Sequence, residues 1–179
     1  MPNFVEYGAH SALPFPAPAA IIHIMSGVQP QTARGHEEPF GVQFSIFFAN
    51  RVGQFKDLLD LMSEKGVNIL GVSVVDSCDW SVVRIVFSDP NRARAILKEN
   101  NLPFTESMIL LAVLEEDDTL AKIFELLLRA EINMFFAFPL MIRGKAHPVM
   151  VIHVDDDVLA AHLLTRHNVT LLGREDLAS

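Results

Sequence analysis

The sequence predicts an α+β fold of two tandem βαββαβ units, each an antiparallel sheet with its helices on one face. Three observations carry this. The segment from Val42 to Asp76 reads as strand, glycine turn, helix, strand. The segments after it complete the order βαββαβ. The same order then returns about 65 residues further on.

The elements follow in turn. Gln43-Phe44-Ser45-Ile46-Phe47-Phe48 is a β-rich run. Asn50-Arg51-Val52-Gly53 is a turn signal, because Asn and Gly tolerate backbone angles that other residues avoid. Phe55, Leu58, Leu59, Leu61 and Met62 keep helical spacing, with Lys56, Asp57 and Asp60 between them. Gly66 is expected to close that helix in the left-handed conformation. Val67 to Val75 is a second strand and residues 76–79 a hairpin turn. Ser81 to Phe87 is a third strand. Asp89 can cap a second helix and Pro90 suits its first position, with Ala93, Ile96 and Leu97 facing inward. Asn100 and Asn101 end it, and Phe104–Leu114 is a long fourth strand.

Shifted by 65 residues, Phe44–Phe48 falls on Ile109–Val113, and Leu58, Leu61 and Met62 fall on Ile123, Leu126 and Leu127. Val67-Asn68-Ile69 falls on Ile132-Asn133-Met134. One further residue at the hairpin then puts Asp89 on Asp155 and Leu97 on Leu163, with Val169–Gly173 as the closing strand. Residues 104–114 end the first copy and begin the second. A βαββαβ unit, the ferredoxin-like plan, places both helices on one face of a four-stranded sheet. Met134-Phe135-Phe136-Ala137-Phe138 is apolar throughout, as in a strand buried on both faces. The second face of the sheet is therefore expected to be covered, by the other copy or by another chain. The expected division is a flexible proline-rich extension over 1–40, one unit over 41–108 and a second over 109–179, with Met25 as an alternative start.

The net charge of −8 argues against a nucleic-acid partner, which needs a basic face. One cysteine excludes a disulfide framework and a multi-thiolate metal site within the chain. No apolar run is long enough to span a bilayer, and no Lys or Arg precedes the apolar stretch Ala17–Met25 as a secretory signal requires. A cytoplasmic protein without membrane contact is the expectation.

The turn at Asn50–Gln54 is the best candidate for a binding site. It leads from strand into helix, where free N–H groups and the helix dipole favour an anion. Gly53 admits a ligand close to the backbone, and Arg51 can pair with a carboxylate. The plain alternative is that Asn and Gly only make the turn. In the second copy Glu115-Glu116-Asp117-Asp118-Thr119 replaces this segment. Four carboxylates repel an anion and complement the helix start instead. Copy one is therefore expected to bind and copy two to support it.

Residues 42–177 resemble tandem ACT domains, small-molecule-binding regulatory modules of amino-acid metabolism. The resemblance lies in Asn50–Phe55, Gly66–Ile69, Ser73–Ser77 with Asp79-Trp80, Arg84–Val86 and Ser88–Pro90, then in Glu131–Asn133, Phe136–Phe138 and Gly144–Ala146. It is closest to free-standing two-ACT proteins without an attached enzyme. The resemblance implies a non-catalytic regulator that binds an amino acid, without a cofactor, through ligand-linked association of ACT units. A homodimer or higher assembly and an amino-acid biosynthetic enzyme are the partners it implies. In such domains the ligand lies where two units meet. Carried over, this assigns Asn50, Arg51, Val52, Gly53 and Gln54, facing Asn133, Phe135, Phe136 and Ala137, or Leu70 and Val72 of another chain.

Other chemistries find less support. Cys78 stands between Asp76 and Asp79, which disfavour a thiolate. His147 and His153 can share a strand face but lack a third metal ligand at suitable spacing. Asp155-Asp156-Asp157 is better read as a helix cap than a metal run. The rival reading, a nucleic-acid-binding or pure protein-interaction module on the same plan, lacks aromatic residues on the third strand. A metal carrier would need a Cys-x-x-Cys loop, which is absent. No matched acid–base pair supports an enzyme.

Overall fold

The computed structural model describes residues 39–49, 53–76, 80–142 and 146–177. The expected extension therefore lies almost entirely outside the described residues, as do Cys78 and the first three turn residues, Asn50, Arg51 and Val52.

In chain order the elements are β1 (Phe40–Ala49), α1 (Gln54–Glu64), β2 (Ile69–Asp76), β3 (Trp80–Phe87), α2 (Pro90–Glu99), β4 (Phe104–Val113), α3 (Thr119–Arg129), β5 (Met134–Leu140), β6 (Val149–Val154) and α4 (Asp157–Arg166). The strands form one antiparallel sheet in the order β2-β3-β1-β4-β6-β5. Strand β4 joins the two copies. Its first part pairs with β1, from Phe104 opposite Ile46 to Leu110 opposite Phe40, and its last part pairs with β6 on the other edge. The closing strand is reduced to a single bridge, Leu171 opposite Ala112. Its edge of β4 is already occupied as far as Leu110 by β1, so only the last residues of β4 are free to pair.

Alternation along the strands gives each face its own core. On the helix side, Phe44, Ile46, Val83, Ile85 and Phe87 pack against Leu58 and Met62 of α1 and Ala93, Ile96 and Leu97 of α2. The rings of Phe44 and Phe87 meet edge to face at 5.4 Å. Further along the same side, Leu110, Ala112 and Ile152 pack against Ile123 and Leu127 of α3 and Ala160, Ala161 and Leu164 of α4. The helix-free face holds a third core of Leu70, Val86, Ile109, Leu111, Phe138, Leu140, Val149, Val151, Leu172 and Leu177. The edge strands β2 and β5 meet, with the Met141 N–H donating to the Leu70 carbonyl. The sheet thus curls so that its helix-free face encloses this core. The second face is covered by the other copy of the same chain.

The caps explain the helix boundaries. Asp89 accepts the Arg92 N–H at 3.0 Å ahead of Pro90, and Gly66 takes φ 68° after α1. Glu131, 65 residues on, takes φ 56° after α3. The second half of the repeat departs from the expected offset. Asp156, not Asp155, caps α4 through the Leu159 N–H, and Leu164, not Leu163, is fully buried opposite Leu97. Asp155 instead accepts the Asn133 N–H, as Ser88 accepts that of Asn68. The β5–β6 hairpin therefore carries two extra residues rather than one. A second correction concerns β5. Met134 and Phe135 are exposed, Phe135 by 57%. β5 is an edge strand, and a register shift between Met134 and Phe136 turns the side chain of Phe135 outward.

Candidate functional site

The two copies begin their first helices differently. In copy one, Gly53 precedes α1 with φ 98° and ψ −22°, a left-handed conformation that disfavours other residues. A Cβ added there would meet nothing within 4 Å, so the backbone stands open. Gln54 is half-buried, and its Oε1 is enclosed without a hydrogen-bond partner. A glycine has no side chain with which to cap the first-turn N–H groups. The start of α1 thus combines first-turn N–H groups without a side-chain cap and a buried acceptor, Gln54 Oε1, without a partner.

In copy two the corresponding residues are Asp118 and Thr119. Asp118 has right-handed backbone angles. Thr119 is buried, and its hydroxyl accepts the Glu116 N–H at 3.0 Å while its own N–H donates to the Glu116 carbonyl. The start of α3 likewise has no side-chain cap, but Thr119 ties its turn back to Glu116.

The residues expected to face this turn fall into two groups. Asn133 and Phe135 are exposed at the start of β5, and Phe136 and Ala137 are half-buried. Phe136 sits between Arg84, whose guanidinium carbon lies 4.4 Å from its ring centroid, and His153, whose ring lies 4.9 Å away. His153 also contacts Phe135 at 5.1 Å. Its Nδ1 lies 3.0 Å from the Met108 carbonyl, so Nδ1 carries the proton and donates, because a carbonyl only accepts. Leu70 and Val72 lie elsewhere. Leu70 is buried in the enclosed core and Val72 packs against the α1–α2 core, so their side chains serve packing within the chain.

The contacts run β2 and β5 in opposite directions. Leu70 meets Met141, an added Gly71 Cβ would meet Leu140 and Phe138, and Arg84, paired with Ser73, lies on Phe136. Moving along β2 toward Asp76, at the same end of the sheet as the close of β1, thus means moving back along β5 toward Met134.

A pocket of about 250 Å³, which no motif announces, lies at the β5–β6 hairpin, lined by Leu140, Ile142, Ala146, His147, Pro148 and Val149. Among the described residues no group of three His, Cys, Asp or Glu side chains could hold a metal ion, and no helix is long and apolar enough to cross a membrane.

Similarity to known proteins bears on the fold and the family. Protein BT0572 from Bacteroides thetaiotaomicron superposes with a TM-score of 0.70 at 20% identity, over 78% of this chain and 96% of that one. The regulatory subunit of aspartate kinase from Thermus thermophilus, in its ligand-free form, gives a TM-score of 0.47 at 12% identity, over 71% and 91%. No curated protein matches the sequence. The profile of the ACT domain pair matches residues 41–179. The chain belongs to the ACT domain pair family.

Proposed function

We propose that the chain is a non-catalytic regulator that binds one amino acid at the start of α1, in copy one only. One observation carries the reading. At Gly53–Gln54 an open left-handed glycine adjoins an unpartnered acceptor, whereas at the equivalent Asp118–Thr119 turn a right-handed aspartate precedes a threonine hydrogen-bonded back to Glu116. An amino acid matches both features, its carboxylate on the helix N-terminus and its ammonium on Gln54 Oε1. In this reading Asn50, Arg51 and Val52 complete the turn, and Asn133, Phe135, Phe136 and Ala137 face it. The ligand then alters association of the chain with a second copy or with an amino-acid biosynthetic enzyme, in the cytoplasm. The division between the units falls within β4, near residues 108 and 109. Phe104 packs on the copy-one core there, and Leu110 on the copy-two core.

A thermal-shift screen of the full chain against the common amino acids tests this. A ligand that binds only the folded state raises the melting temperature by mass action. At least one amino acid should do so in the wild type and not in Gly53→Asp. A shift of equal size in both would refute the assignment.

A further inference from the structure

The enclosed, helix-free face is apolar at one end and polar in the middle. Strand register aligns Ser73 of β2 with Arg84 of β3, Arg84 with Ser45 of β1, and Ser45 with Thr105 of β4. Gln43 lies opposite Ser107 in the adjoining row, on the same face. On one side of this belt lies the sealed core around Ile109, Leu111 and Leu140. On the other lies a rim of Val75, Val82 and Phe47.

Two groups in the belt lack the partners their burial demands. Gln43 is 0% exposed; its Nε2 donates to Ser45 Oγ at 3.0 Å, but Oε1 has no partner. The Arg84 Nε is enclosed and also unpartnered, and no acidic side chain among the described residues pairs with its guanidinium. Leaving a buried polar atom unpaired costs about 1–3 kcal/mol, and more for a charged group. A β-strand position facing an apolar core would be filled more favourably by Val or Leu. Phe136 lies against the Arg84 guanidinium, and its ring supplies no hydrogen-bond acceptor for the unpaired Nε–H.

We infer that this belt is a binding site for a small organic anion that also carries a hydroxyl or amino group. Its carboxylate lies against the Arg84 guanidinium, where two parallel N–H donors match two oxygens. Its hydroxyl or amino group donates to Gln43 Oε1, and Ser45 and Ser107 line the floor. The site is on the opposite face of the sheet from α1; it shares Phe136 with the residues proposed to face the Gly53 turn but uses none of the turn itself.

The test is an NMR titration of the ¹⁵N-labelled full chain with acetate, glycolate and L-serine. The readouts are the Arg84 Nε–H and Gln43 side-chain amide resonances. Glycolate or L-serine should shift both and bind more tightly than acetate. Arg84→Met should weaken binding of all three by at least about tenfold. Gln43→Leu, which removes an unpaired polar atom and should not lower the melting temperature, should abolish the preference over acetate. Gly53→Asp should leave these shifts intact, which separates this site from the turn. Failure of all three probes to move either resonance would overturn the proposal. So would binding unchanged in Arg84→Met, or shifts lost in Gly53→Asp alone.

Discussion

The first helices of the two copies occupy equivalent places, yet one starts at an open glycine and the other at a closed threonine. Gly53 leaves the first turn of α1 uncapped by any side chain of its own, while Thr119 ties the turn of α3 to Glu116. The same contrast recurs on the second strands. Leu70 and Phe135 stand at the same position, each at a register shift, but Leu70 is buried in the enclosed core and Phe135 is exposed. Duplication thus supplies two copies of one scaffold. Small changes at the turn and the bulge make the two copies unlike at these equivalent positions.

The strand contrast gives the largest expected effect. Leu70→Ala should destabilise the chain by about 3 kcal/mol in urea unfolding, by removing a buried leucine. Phe135→Ala should cost no more than about 0.5 kcal/mol, as for an exposed side chain. Equal losses would erase the distinction between the two strands.

The turns come next. Gly53→Asp should weaken amino-acid binding by at least about tenfold in calorimetry, since a carboxylate at the cap competes for the same N–H groups. Thr119→Ala should lower stability by about 1 kcal/mol through loss of the Glu116 hydrogen bond, with ligand affinity unchanged.

The smallest effect concerns an ion pair present in one copy only. Arg94 of α2 holds Glu106 of β4 through Nε at 2.6 Å and a second N–H at 2.5 Å. The equivalent positions in copy two are Ala161 and Gly173. The Arg94 hydrogen bonds, partly opposed by desolvation, hold the Glu106 carboxyl below the usual carboxylate range. The folded state then binds its proton less readily than the unfolded one. Its contribution is full above the ordinary glutamate range and is lost as pH falls through the lowered value. Glu106→Gln should therefore cost about 0.5 kcal/mol at neutral pH and nothing once acid has protonated the wild type, read from melting temperatures across pH. Asp157 acts in the opposite sense. Burial raises its carboxyl, so its ionisation opposes folding as pH rises through that range.

Much of this was legible in the sequence. Asp89-Pro90, Gly66 and the spacing of Ala93, Ile96 and Leu97 announce helix ends and faces through local chemistry, and the structure follows them. The repeat was visible because capping residues recur. Its offset was misjudged because Asp155 and Asp156 offer the same side chain one residue apart, and only the strand hydrogen bond to Asn133 tells them apart. The curl of the sheet was not legible, since it depends on β2 meeting β5 across the whole chain. The apolar run Met134–Phe138 predicts a buried Phe135, because such a run does not reveal a bulge or an edge. A signal for the polar belt did exist: Gln43 and Ser45 alternate with the apolar Val42, Phe44 and Ile46 on β1.

The stoichiometry of amino-acid binding tests the inequality of the two copies most directly. Calorimetry on the wild-type chain with the amino acid that gives the largest thermal shift should find one strong site per chain, kept in Asp118→Gly and lost in Gly53→Asp. Two equivalent sites per chain, or a site lost in Asp118→Gly and kept in Gly53→Asp, would contradict the account.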